Sequence, residues 1–258
     1  MIDNPLRGKG VLVTRPARQS AKLCRLIESK NGKAICFPAI EIEAPLDLKP
    51  ARRLLDQLTG CDIAIFVSPN AVRATFALMG VRGLPATLKV AAVGKGTARI
   101  LSALGIAVDT VPVDRYDSEG LLRSESLQHV QGKRIFIFRG VGGRRLLGDR
   151  LRERGAEVHY VEVYRRVCPG TDPEPLIRRW IDDVDIVTIT SGEILENLFQ
   201  ILGDEGGTLL KATPMVVISE RIRSRARDFE CSHVAVSERA DDEAIVDAVE
   251  AWFARSGG

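Results

Sequence analysis

Six short stretches of this 258-residue chain place hydroxyls, glycines and guanidinium groups directly after apolar runs. They are Thr14-Arg15-Pro16, Ser68-Pro69-Asn70, Gly94-Lys95-Gly96-Thr97, Arg139-Gly140, Thr190-Ser191-Gly192 and Ser219-Glu220-Arg221. Where a strand runs into a helix, such residues present backbone N–H, hydroxyl and guanidinium donors to a ligand. Each Ser or Thr taken alone is a good helix N-cap. Together the six form a wall of donors with few titratable groups. That wall suits a flexible ligand with many carboxylates, and it suits acid–base chemistry poorly. Arg15 and Arg139 fall at equivalent places in an internal repeat, at the ends of first strands. Two assignments stand for them: pairing with substrate carboxylates, or salt bridges within their own domains.

Other chemistries are poorly represented. Gly94-Lys95-Gly96-Thr97-Ala98-Arg99 and Gly140-Val141-Gly142-Gly143-Arg144-Arg145 match two glycines of a dinucleotide fingerprint and lack the third. Without it, close helix–strand packing under a pyrophosphate is lost, which disfavours a nucleotide-dependent oxidoreductase. His129, His159 and His233 lie far apart, with no Cys or carboxylate at metal-ligand spacing, and read as structural or surface residues. Cys24, Cys36, Cys61, Cys168 and Cys231 are an odd set with no CxxC, expected as small core residues in a reducing compartment. Trp180 and Trp252 fall on amphipathic stretches and read as core-capping side chains. The net charge of +3 argues for no nucleic-acid partner. Arginine supplies 28 of the 37 basic residues, an excess that suits polyanions or reflects codon usage. No apolar leader and no run of 18 apolar residues occurs, so a cytoplasmic protein without a membrane partner is expected.

The elements that must position the six turns follow a regular rhythm. Apolar runs of four to six residues alternate with amphipathic stretches, as in parallel β/α units covered on both faces. Strands are expected at 11–15, 34–38, 62–67, 89–93, 107–112, 134–139, 157–160, 185–190, 215–219 and 233–237. Helix stops fall at Gly32, Gly80, Gly105, Gly155 and Gly203. The run Val11-Leu12-Val13-Thr14-Arg15-Pro16 recurs as Arg134-Ile135-Phe136-Ile137-Phe138-Arg139-Gly140, and Asp62-Ile63-Ala64-Ile65-Phe66-Val67-Ser68 recurs as Asp185-Ile186-Val187-Thr188-Ile189-Thr190-Ser191. This is an internal duplication in permuted order. Two segments, 39–45 and 161–167, alternate at period two like strands with one exposed face. The fold class is therefore α/β, with two similar doubly wound parallel-sheet domains, flavodoxin- or Rossmann-like, of five strands each. Domain 1 is discontinuous, 1–38 plus 168–258; domain 2 is inserted, 46–160; and 39–45 with 161–167 make a two-stranded β linker. A cleft between such domains would bind the ligand.

The ordered motifs of these turns resemble the uroporphyrinogen-III synthase family over nearly the whole chain. They are Val11-Leu12-Val13-Thr14-Arg15-Pro16, Phe66-Val67-Ser68-Pro69-Asn70-Ala71-Val72, Ala92-Val93-Gly94-Lys95-Gly96-Thr97-Ala98, Arg139-Gly140 with Gly143-Arg144, Val163-Tyr164-Arg165-Arg166, and Thr190-Ser191. The resemblance implies a cofactor-free, metal-free cyclising hydro-lyase, commonly monomeric. Its substrate would be hydroxymethylbilane, a linear tetrapyrrole polycarboxylate, and its product uroporphyrinogen III. It also leaves room for transient contact with the upstream hydroxymethylbilane synthase. By resemblance, Tyr164 matches the tyrosine of the return linker and is the candidate general acid, with a linker packing role as the alternative. Substrate-binding positions carried over or read from the turns are Arg15, Ser68, Asn70, Gly94, Thr97, Arg139, Gly140, Thr190, Ser191, Gly192, Ser219 and Arg221. The chain departs from the family at Ser219-Glu220-Arg221-Ile222, where relatives carry glycine and threonine. The competing function is a non-catalytic two-lobed binding protein for a small polycarboxylate.

Overall fold

The computed structural model describes residues 4–256. The chain divides into two compact units, one built from the residues up to Glu41 and from Val167 onward, the other from Ile42–Arg166. From the N-terminus run β1 (Gly10–Val13), α1 (Ala17–Ser29) and β2 (Lys33–Cys36). There follow β3 (Glu41–Glu43), α2 (Lys49–Leu55), β4 (Ile63–Phe66), α3 (Pro69–Met79), β5 (Lys89–Ala92), α4 (Lys95–Ala103), α5 (Ser118–Leu122), β6 (Arg134–Gly140), α6 (Leu146–Glu153) and β7 (Glu157–Val167). The first unit is then completed by α7 (Glu174–Ile177), α8 (Trp180–Asp183), β8 (Ile186–Ile189), α9 (Gly192–Ala212), β9 (Met215–Val217), α10 (Glu220–Asp228), β10 (Val234–Val236) and α11 (Asp242–Ser256).

The first unit is a five-stranded sheet in the order β10-β9-β8-β1-β2, with every neighbour pair parallel. Continuous apolar runs make this possible, because β1 and β8 are buried along their whole lengths. Leu23 and Ile27, one helical turn apart on α1, pack with Val246 and Val249 of α11 against one sheet face. Burying each such side chain contributes about 1.5–3 kcal/mol. Numbered within the unit, the strands wind 2-1-3-4-5, so the direction of winding reverses between β1 and β8. That crevice is where doubly wound sheets bind ligands.

The second unit winds the same way over four strands, β5-β4-β6-β7, all parallel, with its reversal between β4 and β6. Two expectations fail here. The segment 107–112 forms no strand and only an isolated bridge, Thr110 to Ala91. Just beyond it Pro112 has no N–H to continue a ladder. The fifth place is taken instead by β3, beside β7. The expected strand 157–160 and linker strand 161–167 are also one continuous element, β7. The sheet core is aromatic, with Phe66 and Phe138 stacked at 4.6 Å.

The permuted repeat acquires a physical meaning and a correction. Asp62 accepts from the Arg134 amide (2.8 Å) and pairs with Lys133 (3.1 Å), while Asp185 does the same with the Gly10 amide (2.8 Å) and Lys9 (3.1 Å). The repeat therefore records one staple across the two central strands of each sheet. By winding order, however, β1 corresponds to β4 and β8 to β6. Arg15 follows a first strand and Arg139 ends a third strand, so their places are not equivalent.

Smaller departures follow from local chemistry. Gly203 breaks α9 with φ 61° rather than ending it, and the left-handed residue after α1 is Asn31 (φ 57°), not Gly32. Only Cys61 and Cys231 are buried; Cys24 and Cys168 are half-buried and Cys36 is exposed. His159 does meet a carboxylate, Glu157, at 2.6 Å on the same strand. Trp180 is a core residue whose Nε1 donates to Thr213 at 2.8 Å. Among the described residues no helix is long and apolar enough to cross a membrane.

Candidate active site

At the winding reversal of the second unit the carboxyl ends of β4 and β6 open onto a cavity of about 430 Å³. Val67, Ile137, Leu147 and Tyr160 form its apolar lining, and Arg139, Arg144 and Arg166 bring positive charge to it. Backbone from Gly140 through Gly143 completes one wall. A partly apolar cavity with cationic groups fits an organic anion.

Tyr164 lines this cavity, and three features of the sequence position it. The β6–β7 register shifts between Arg139 and Gly140, so Glu162 faces Arg139 while Tyr164 faces Gly140. Such a bulge re-aims a strand side chain. Gly140 then provides the room: a Cβ there would lie 2.7 Å from two atoms of the Tyr164 ring. The phenol oxygen reaches Ser68 Oγ at 3.2 Å, with either able to donate. Ser68 is itself fixed, since its Oγ accepts from the Ala71 amide (3.1 Å) as the N-cap of α3. Tyr164 is almost wholly buried, at 3% exposure. Asn70 sits half-buried in the first turn of the same helix.

Arg139 has a different role from a free anion clamp. It is 5% exposed, and its guanidinium donates to the carbonyls of Gly140 (3.2 Å), Arg144 (3.1 Å) and Gly143. It also lies over the Tyr160 ring at 4.4 Å and near Glu162 at 3.6 Å. The fork thus holds the loop 140–144 in one shape and adds positive potential behind it. Glu162 also accepts from the Gly142 amide at 3.3 Å. The one carboxylate on the cavity wall is Asp117, the N-cap of α5. The Gly120 amide and then Arg115 hold it below the usual carboxylate range.

The next turn of the same edge carries Gly94, the N-cap position of α4, and Thr97, buried one turn on. Its Gly96 lies in contact range of Pro69, so the β5 and β4 turns adjoin. The remaining expected residues belong to the first unit. Ser191 caps α9 through the Ile194 amide (3.1 Å), with Thr190 before it and Gly192 opening the helix. Ser219 caps α10 through the Ile222 amide (3.4 Å), and Arg221 is exposed on its first turn. Arg15 is ion-paired to Asp242 at the start of α11. All of these fall at carboxyl ends of adjacent strands. Within the second unit the structure brings Tyr164, Ser68, Arg139 and Gly140 into one contact group. Reading the sequence missed Tyr160 and Arg166 on the cavity wall, and the bulge between Glu162 and Tyr164 removes the period-two signal that could have linked Tyr160 to Tyr164.

The profile of the family described as uroporphyrinogen-III synthase HemD matches residues 21–247. The uroporphyrinogen-III synthase of Salmonella typhimurium is 33% identical over 245 residues, covering 93% of this chain and 99% of that protein. A putative uroporphyrinogen-III synthase of Methanothermobacter thermautotrophicus is 34% identical over 214 residues, covering 80% of this chain and 83% of that one. Among solved structures, uroporphyrinogen-III synthetase from Helicobacter pylori superposes with a TM-score of 0.60 at 14% identity, over 95% of this chain and 99% of that one. A mutant uroporphyrinogen III synthase from Thermus thermophilus gives 0.59 at 19%, over 94% and 98%. Those structural likenesses speak to the fold. The profile match and the full-length identity go further, and on them this chain belongs to the uroporphyrinogen-III synthase family.

Proposed function

We propose that this chain cyclises hydroxymethylbilane to uroporphyrinogen III with loss of water and inversion of ring D. The observation that carries the assignment to this site is the Tyr164–Ser68 contact on the wall of an arginine-bearing cavity. A volume of about 430 Å³ suits a small ligand, so it takes one part of the linear tetrapyrrole with its carboxylate arms. Arg144 and Arg166 receive those arms. The carboxyl-end turns of the first unit, through Thr190, Ser191, Gly192, Ser219 and Arg221, supply further donors, and so do Asn70, Gly94 and Thr97. Arg15 and Arg139 act behind this layer by holding their own turns in shape.

In the reaction the Tyr164 phenol protonates the terminal hydroxyl, which leaves as water and generates an azafulvene cation on ring A. The substituted carbon of ring D attacks it to give a spiro intermediate. Fragmentation and re-closure at the other carbon, with loss of one proton, yield the type III macrocycle. A phenol is a weak acid, so Tyr164 contributes only part of the acceleration. Holding the chain curled in a near-attack shape supplies the larger part, up to about 7–11 kcal/mol in favourable cases. We assign the chain as a lyase of tetrapyrrole synthesis with no cofactor, a monomeric state and cytoplasmic residence. The test is to feed the purified chain enzymatically generated hydroxymethylbilane and resolve the product isomers. Type III in excess over the spontaneous type I product supports the proposal; type I alone, at the uncatalysed rate, overturns it.

A further inference from the structure

Away from the Tyr164 cavity, α1 and the end of β2 bring two thiols together. Cys24 Sγ and Cys36 Sγ stand 3.1 Å apart, with Cys36 exposed and Cys24 half-buried. A disulfide bond is about 1 Å shorter, a closure that two side chains can make by rotation. The other three cysteines make no such contact among the described residues: Cys61 and Cys231 are buried, and the Cys168 thiol reaches only backbone carbonyls. We propose that Cys24 and Cys36 form a reversible intrachain disulfide, a redox modification site on the first unit that staples α1 to the edge strand β2.

The chemistry follows from the unequal exposure of the pair. With a small-molecule disulfide such as oxidised glutathione as oxidant, the Cys36 thiolate attacks one of its sulfurs. A mixed disulfide forms on Cys36 and one glutathione leaves as thiol. Cys24 then loses its proton and attacks Cys36 Sγ, the new bond forms, and the second glutathione leaves. Two electrons pass from the protein sulfurs to glutathione, and both protons end on the released thiols. Burial raises the Cys24 thiol above its ordinary value. The second step is therefore slow at neutral pH and quickens as pH rises.

The experiment incubates the full-length chain with oxidised glutathione and follows thiol titration and peptide mass mapping. The expected result is loss of two of the five titratable thiols, a peptide cross-linked between Cys24 and Cys36, and full reversal by reduced glutathione. Closure should accelerate between pH 7 and pH 9. Cys24→Ser should trap the glutathione adduct on Cys36, and Cys36→Ser should leave Cys24 unmodified. The oxidised wild type should melt at higher temperature than the reduced, with no such shift in either variant. Should a variant fail to fold, the wild-type peptide map decides alone. A persistent adduct on Cys36 without the cross-link, a link between two copies, or five unreacted thiols overturns the proposal.

Discussion

The two units share a winding and an amino-end staple, yet their carboxyl ends are built differently. In the first unit the reversal between β1 and β8 is bridged by side chains. Thr14 Oγ1 donates to the Thr188 carbonyl (2.6 Å), Thr188 Oγ1 donates to the Leu12 carbonyl (3.1 Å), and Arg15 is paired with Asp242. In the second unit the same place opens onto the 430 Å³ cavity with Tyr164 on its wall. The difference traces to a bulge, one glycine and one arginine. A regular β6–β7 ladder with a side chain at residue 140 would leave no room for the Tyr164 ring. The comparison teaches that a duplicated sheet need not yield duplicated chemistry. On the proposed function, the second unit carries the proton donor and the first carries donors suited to holding anions.

The largest expected effect falls on that asymmetry. Tyr164→Phe removes the phenol and leaves the ring seated on Gly140, so type III formation should drop roughly 100-fold, since one positioned acid contributes about 10²–10⁴ and water reaches an open cavity. The lost product should reappear as type I. Gly140→Ala should match or exceed that loss, because the new methyl displaces the ring from Ser68, and overpacking of this kind costs about 1–3 kcal/mol of stability. Product-isomer ratios on variants shown by thermal melts to be folded check both. If the folded Phe variant forms type III at the wild-type rate, Tyr164 only packs and the comparison collapses to one of shape.

An intermediate effect separates the two arginines. Arg139→Ala releases the loop 140–144 and removes the guanidinium beside Glu162, so stability should fall by about 1–3 kcal/mol and type III formation by about tenfold. Arg139→Lys should rescue little, since an ammonium cannot serve three carbonyls in one plane. Arg15→Ala should cost less, because Asp242 remains favourably placed in the first turn of α11, and Arg15→Lys should restore most of it. Denaturant midpoints alongside isomer ratios make the comparison. Equal losses at Arg15 and Arg139 would show that the first unit contributes to chemistry as directly as the second. Substituting Ser68 by Ala should be milder than Tyr164→Phe, since it removes a partner and an N-cap but leaves the acid.

How much of this was legible in the sequence depended on sequence distance. The parallel strands were readable because each is a run of β-branched and aliphatic residues with both faces buried, as in Ile186–Ile189. The N-caps Ser68, Ser191 and Ser219 were readable because capping acts over three residues. By contrast, β3 gave a period-two signal without saying which sheet it would join, and 107–112 had the composition of a strand but lacks the partner ladder. The Tyr164–Ser68 contact spans 96 residues and depends on a register shift that no local pattern encodes. By type and place Arg139 fitted either an anion ligand or a salt bridge within its own domain. Only its three carbonyl partners, within five residues on the folded loop, show where the guanidinium points.

The smallest expected effect concerns the feature the two units have in common. Asp62 is held below the usual carboxylate range by the Arg134 amide first and then by Lys133. A depressed carboxylate stabilises the fold at pH values above its unfolded pKa, and that contribution disappears as pH falls through the lower, folded value. The window therefore lies below about pH 4. The side chain is 39% exposed, so solvent screens the pair and the contribution at neutral pH is at most about 1 kcal/mol. Asp62→Asn keeps an acceptor for the Arg134 amide and loses the charge. It should lower the neutral-pH denaturation midpoint slightly and flatten the acid limb of the stability curve below pH 4. Asp185→Asn, which alters the matching staple to Lys9 and Gly10, should lower the neutral midpoint by a similar small amount. Neither should change the ratio of type III to type I, because both staples sit at the amino ends of strands whose carboxyl ends carry the candidate site. A shift in that ratio with either variant would mean that the amino-end staples set the shape of the carboxyl-end turns, and the division between scaffold and chemistry within each sheet would have to be redrawn.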